Sequence, residues 1–127
     1  MKIYGIGTDV VNINRIKRSL KNKNFIWRLF NKNEIKKCSS QINKANCYAK
    51  RFAAKEAFSK AIGTGISRGI NFDEIIVYNI KSGKPGIKLL GNTKKIVNKI
   101  LNKKKINIFL SLSDDKPFDV ATVVISI

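Results

Sequence analysis

A helical spacing of apolar residues from Lys44 to Ile62, cut off by two glycines, restricts this chain more than any other feature. Ala45, Tyr48, Ala49, Phe52, Ala53 and Ala57 recur at three- and four-residue intervals and predict one long helix. Gly63 and Gly65 end it, because glycine alone enters the left-handed conformation at low cost. Phe52, Glu56, Ser59, Lys60 and Gly63 fall along one stripe of that helix. The stripe therefore carries a carboxylate, a hydroxyl and an ammonium to a Gly-Thr-Gly exit where a ligand can approach the backbone.

Around this helix the pattern predicts an α+β domain of 127 residues with strands at both ends and in the middle. Lys2 to Thr8 reads as a strand with Asp9 at its end. Ile13, Ile16 and Leu20 predict a basic amphipathic helix over Asn12 to Lys21, and Phe25 to Phe30 reads as helix or turn. Asn31 with Glu34 three residues on resembles a capping box opening a helix to about Cys38. Ser39 to Asn43 is polar and reads as a loop. Phe72 to Tyr78 and Ile87 to Leu90 read as strands around the Ser-Gly and Lys-Pro-Gly turn of Asn79 to Gly86. Asn92 or Thr93 can cap a helix whose apolar face is Ile96, Val97, Ile100 and Leu101, with Lys103 to Lys105 as a solvated exit. Ile106 to Ser113 and Asp119 to Ile127 read as two strands joined by an Asp-Lys-Pro turn.

Composition narrows the function classes. A domain of this length buries a sizeable core unaided. No apolar run approaches the ~20 residues of a membrane span, and no apolar leader segment precedes Asp9. Cys38 and Cys47 form no C-x-x-C motif and are too few for a zinc cluster. Two reduced thiols in a cytoplasmic protein are the expectation, with a single disulfide second. The formal net charge of +18 attracts phosphates, nucleic acids or acidic proteins. Most of it is lysine dispersed among asparagine and isoleucine, as an AT-rich coding bias produces.

The chain contains no histidine, which removes Ser-His-Asp and Cys-His catalysis and any imidazole metal site. Eight acidic residues are the whole stock of carboxylates. Glu56 and Lys60, about 6 Å apart along a helix axis, can form a surface ion pair worth about 0.3–0.5 kcal/mol. In a functional reading Glu56 is a Mg²⁺ ligand, since that ion takes one or two carboxylates alongside phosphate oxygens and water. Asp9 is the candidate for the second carboxylate. Gly5-x-Gly7 lacks the spacing of a dinucleotide-binding turn. The Asn79–Pro85 turn carries Lys81 and Lys84, which suit either a plain hairpin or a nucleotide phosphate. Arg15 and Arg18, one turn apart on the first helix, form either a solvated face or a docking surface for an acidic partner.

These residues together resemble the holo-acyl-carrier-protein synthases, the short bacterial class of 4′-phosphopantetheinyl transferases. The resemblance rests on Gly5-Ile-Gly-Thr-Asp-Val-Val11 with Arg15-Ile16, on Arg51-Phe-Ala-Ala-Lys-Glu-Ala-Phe-Ser-Lys-Ala-Ile-Gly-Thr-Gly65, and on Gly83-Lys-Pro85 and Leu110-Ser-Leu-Ser113 in order. It implies Mg²⁺-dependent transfer of phosphopantetheine from coenzyme A to a serine of apo-acyl carrier protein, releasing adenosine 3′,5′-bisphosphate for fatty acid biosynthesis. It implies Asp9 and Glu56 as metal ligands, with Glu56 and Lys60 catalytic and Lys60 at the pyrophosphate. Ser59, Gly63, Lys84, Pro85 and Ser111 would line the coenzyme pocket, and Arg15, with Arg18 beside it, would dock the carrier. A homotrimer with sites at subunit interfaces is the implied assembly.

The chain departs from the family pattern at two positions. Phe109 stands where a histidine often precedes the Ser/Thr-Leu motif, and Asn12 replaces a glutamate after Asp-Ile-Val. The first leaves a catalytically degenerate member of the family as an alternative. The second puts support of the metal from that position in question. A basic nucleic-acid-binding protein is the other alternative, opposed by the lack of aromatics interleaved with cations. No specific nucleic acid and no membrane are expected as partners.

Overall fold

The computed structural model describes residues 1–65, 67–102 and 105–127; Lys103 and Lys104 of the expected exit lie outside that set. Strand β1 (Ile3–Asn12) leads into α1 (Ile13–Ser19), α2 (Lys23–Leu29), α3 (Lys32–Ser39) and α4 (Lys44–Ile62). A 3₁₀ turn at Phe72–Glu74 opens a hairpin of β2 (Ile75–Asn79) and β3 (Pro85–Leu89). Helix α5 (Gly91–Leu101) and the strands β4 (Asn107–Asp115) and β5 (Phe118–Ser126) complete the chain. The class is α+β. An antiparallel sheet in the order β1-β5-β4 and a separate two-stranded hairpin surround α4.

Helix α4 spans the range its apolar spacing predicts and ends at Gly63 with φ of 91°. Ala49, Ala53, Ala54, Ala57 and Phe58 are all fully buried on it, so it is enclosed around most of its girth. Its small side chains let β1 lie close. A Cβ on Gly5 would overlap the Ala61 carbonyl oxygen, and one on Gly7 the Ala57 carbonyl oxygen. The two glycines therefore serve backbone approach rather than a nucleotide turn. Asp9 follows two residues later on the same face of the strand.

Asparagines start the first four helices. Asn12, Asn22, Asn31 and Asn43 each accept a backbone N–H at the N-terminus of the helix that follows. Asn31 and Glu34 complete the predicted capping box. Glu34 also reaches inward. Its Oε1 accepts from Lys55 Nζ at 2.7 Å and its Oε2 from the Val77 amide at 3.1 Å. The same ammonium donates to the carbonyls of Phe72 and Ile75 at 2.6 and 2.7 Å. This buried knot ties α3, α4 and β2 together.

Four expectations are corrected. Strand β1 runs through Asp9 to Asn12, because pairing with β5 continues to Phe118, so Asp9 lies within the strand and not at its end. Phe72–Glu74 is a 3₁₀ turn rather than strand. Neither Asn92 nor Thr93 caps α5. Glu74 does so from outside the helix, accepting the amides of Asn92 and Thr93 at 3.1 Å each. Cys38 and Cys47 are bonded as a disulfide rather than standing as free thiols. The loop at residues 40–43 folds α3 back onto α4 and brings their Cα atoms to 5.4 Å, within disulfide range.

Candidate active site

Close packing of the β1 glycines on α4 sets Asp9 beside the polar stripe of the helix. Lys60 Nζ donates to Asp9 Oδ1 at 3.2 Å and to the Thr8 carbonyl at 2.9 Å. The expected helix-surface pair between Glu56 and Lys60 is thus replaced by a bridge across 51 residues of sequence. Asp9 is 16% exposed and Lys60 52%, so the pair is half in solvent and adds little stability by itself.

Glu56 faces the same spot. Burial pushes its carboxyl above the usual range and the charge of Asp9 pushes it further, while Lys60 and Arg15 oppose the rise. Two carboxylates that repel each other, next to one lysine and one arginine, suit a divalent cation. A Mg²⁺ ion needs no third carboxylate where phosphate and water fill its shell. Among the described residues no group of three His, Cys, Asp or Glu could hold a metal.

The other stripe residues take distinct positions. Ser59 is buried, and its hydroxyl donates to the Glu56 carbonyl at 2.8 Å. Gly63 sits in open space at the helix end, with no atom within 4 Å of where a Cβ would lie. Arg15 and Arg18 are both exposed on α1. Asn12 is occupied in capping α1, where it accepts the Asn14 amide at 2.9 Å.

Pro85 and Ser111 lie elsewhere. They line a cavity of about 760 Å³ whose wall includes Lys37, Lys50, Arg51 and Lys81, and none of Asp9, Glu56, Ser59, Lys60 or Gly63. Lys84 lies in an adjoining depression with Pro85 and Phe109. Ser111 is on β4, which β5 separates from β1. One chain therefore brings together Asp9, Glu56, Lys60 and Arg15, and separately Lys84, Pro85 and Ser111.

Arg51 received no role of its own in the sequence reading. Only 5% exposed, it donates to the Cys47 carbonyl at 3.3 Å and to Asn79 Oδ1 at 3.4 Å, while its Nε has no partner. Burial lowers its pKa against the pull of Glu34. The guanidinium thus adds positive charge to a cavity that Lys37, Lys50 and Lys81 also line, a surround that attracts anions. Its place one helical turn after Cys47 and one before Lys55 was the available signal.

Among the described residues no helix is long and apolar enough to cross a membrane. A family model described as the 4′-phosphopantetheinyl transferase superfamily matches residues 5–123. A holo-[acyl-carrier-protein] synthase of Pelagibacter ubique (strain HTCC1062) is 51% identical over 125 residues, covering 98% of each chain. The crystal structure of holo-[acyl-carrier-protein] synthase from Neisseria meningitidis is similar at a TM-score of 0.86 and 36% identity, covering 98% of this chain and 99% of that one. A Bacillus anthracis holo-(acyl-carrier-protein) synthase, solved in complex with CoA (3′,5′-ADP), is similar at a TM-score of 0.80 and 35% identity, covering 98% and 97%.

Proposed function

The chain belongs to the 4′-phosphopantetheinyl transferase superfamily, and from that premise we propose that it is a holo-acyl-carrier-protein synthase. It moves the 4′-phosphopantetheine group of coenzyme A to a serine of apo-acyl carrier protein in the cytoplasm, serving fatty acid biosynthesis. The observation that carries this reading is the convergence of Lys60, Asp9 and Glu56 where β1 crosses α4.

The serine oxygen forms a bond to the pantetheine-side phosphorus as the bond to the bridging oxygen breaks, releasing adenosine 3′,5′-bisphosphate. Asp9 and Glu56 would hold Mg²⁺, which when bound supplies positive charge to the pyrophosphate. Lys60 adds a fixed cation as negative charge grows on the bridging and outer oxygens. Glu56, or a water it holds, takes the serine proton. Arg15 and Arg18 present positive charge to an acidic carrier, which speeds encounter more than it tightens binding.

The second cluster completes the coenzyme site in a homotrimer. The cavity of Pro85, Ser111, Arg51 and its lysines takes the 3′-phosphate end of a coenzyme whose pyrophosphate lies at Asp9 and Glu56 of the next subunit. Two features support this division. The clusters are separate within one chain, and Ile6, Val10 and Phe109 remain 46–64% exposed on the sheet strands β1 and β4. Phe109 borders the Lys84–Pro85 depression, so it replaces a polar contact with an apolar wall.

The test is incubation of the protein with coenzyme A, Mg²⁺ and apo-acyl carrier protein, read by intact mass of the carrier. The expected result is the gain of one phosphopantetheine, abolished by chelation. Glu56→Gln and Asp9→Asn are expected to lower turnover by about 10²-fold or more with the fold retained. An unmodified carrier overturns the reading, and near-native turnover in either variant overturns the residue roles.

A further inference from the structure

Cys38 and Cys47 are used by nothing in the proposed transfer, yet their surroundings differ sharply. Cys38 is fully buried in the core, whereas Cys47 is half-buried and lines the cationic cavity. Arg51 Nη1 donates to Cys47 Sγ at 3.2 Å. Cys47 also lies in the first turn of α4, at the positive end of the helix dipole. A guanidinium in contact and a helix N-terminus both favour a thiolate, and Lys37, Lys50 and Lys81 add positive potential at the cavity wall.

We propose that the pair is a thiol-exchange site for small anionic disulfides, with Cys47 as the attacking thiol and Cys38 as the resolving one. In the reduced protein the Cys47 thiolate attacks one sulfur of the small disulfide, forming a mixed disulfide and expelling a thiolate. Cys38 then attacks Cys47 Sγ, and its proton passes to the small thiolate that leaves. That step expels the second small thiolate and leaves the Cys38–Cys47 bond. Two protein thiols are oxidised and one small disulfide is reduced to two thiols, so no further oxidant is needed. The polarity of the pair follows from access, since only Cys47 meets the cavity. A mixed disulfide on Cys47 fills the pocket assigned above to the 3′-phosphate end of the coenzyme. That consequence rests on the transferase reading, whereas the exchange does not.

The test uses the full chain, reduced and freed of reductant, with oxidised glutathione as the anionic probe and 2-hydroxyethyl disulfide as the uncharged one. Intact mass under non-reducing conditions should show Cys38→Ala accumulating one glutathione at Cys47, and Cys47→Ser unmodified at the same times. Wild-type protein trapped early should carry its adduct on Cys47 by peptide mapping, and late samples should hold only the internal disulfide. The preference for oxidised glutathione over the uncharged probe should fall by about tenfold or more between low and high salt. Adducts appearing first on Cys38, an absence of any exchange, or a salt-independent preference would each overturn the proposal. The wild-type mapping decides the order of attack even if a variant folds poorly, and it stands whether or not the protein transfers phosphopantetheine.

Discussion

Replacing Lys55 by methionine removes the centre of the buried knot without changing its volume greatly. The ammonium is wholly buried and makes three short hydrogen bonds, to Glu34 at 2.7 Å, Phe72 at 2.6 Å and Ile75 at 2.7 Å. Burial lowers its pKa, and the Glu34 carboxylate works against that fall. Glu34 is only 2% exposed, so in Lys55→Met water does not replace the lost ammonium. The carboxylate keeps only the backbone donors of Asn31 and Val77, at 3.0 and 3.1 Å. An unpaired buried charge costs about 3–5 kcal/mol, so Lys55→Met should lose that much in urea unfolding followed by circular dichroism. Lys55→Met combined with Glu34→Gln removes the stranded charge and should recover about 2 kcal/mol of the loss. Val77 is bonded to Glu34 and lies mid-strand in the hairpin that carries Lys84 and Pro85, so the single variant should also raise KM for coenzyme A more than it lowers kcat. A loss under about 1 kcal/mol, or strictly additive losses in the double-mutant cycle, would refute this account of the pair.

Other predictions concern the site and its supports. Gly7→Ala forces a Cβ against the Ala57 carbonyl. It should cost about 1–3 kcal/mol and depress kcat by drawing Asp9 away from Lys60, as read by unfolding and by carrier mass. Asp119 is wholly buried on β5, and burial, with Asp114 adding, pushes its carboxyl up to about 6. Because that value lies above the unfolded one, its contribution to stability is full below about pH 4 and is lost as pH rises through about 6. Asp119→Asn should therefore melt higher than wild type at pH 8 and no higher at pH 4. The gain at pH 8 should be about 1 kcal/mol, held down by Lys50, which opposes the rise. The Asn46 amide nitrogen, turned toward the carboxylate, lies 2.7 and 2.9 Å from its oxygens and also limits the gain. Reversing Arg15 and Arg18 to glutamate should raise KM for the carrier and leave KM for coenzyme A nearly unchanged; equal rises would point to a folding defect instead.

The local structure of this chain was legible wherever a short period or a neighbouring side chain decides it. The bounds of α4 follow from apolar recurrence and from the left-handed turn at Gly63. The start of α3 follows from Asn31 and Glu34 three residues apart. Asn12, Asn22 and Asn43 could have been read the same way, as caps ahead of their helices, instead of as a by-product of base composition. The carboxylate, hydroxyl and ammonium of α4 were already visible as one face, because helix geometry alone puts them there.

Tertiary structure decided everything that depends on which elements touch. Lys60 pairs with Asp9 and not with Glu56 because Gly5 and Gly7 carry no side chain to hold β1 away from α4. Glu74 caps α5 from 18 residues upstream, and Cys38 meets Cys47 only because the intervening loop reverses the chain. Arg51 became a buried cation at a cavity wall only once the β2–β3 hairpin packed beside it. Helical period, caps and turns are set by neighbours a few bonds away, so composition and spacing determine them. The separation of the two half-sites depends on close approach across tens of residues, where packing in three dimensions selects the partner.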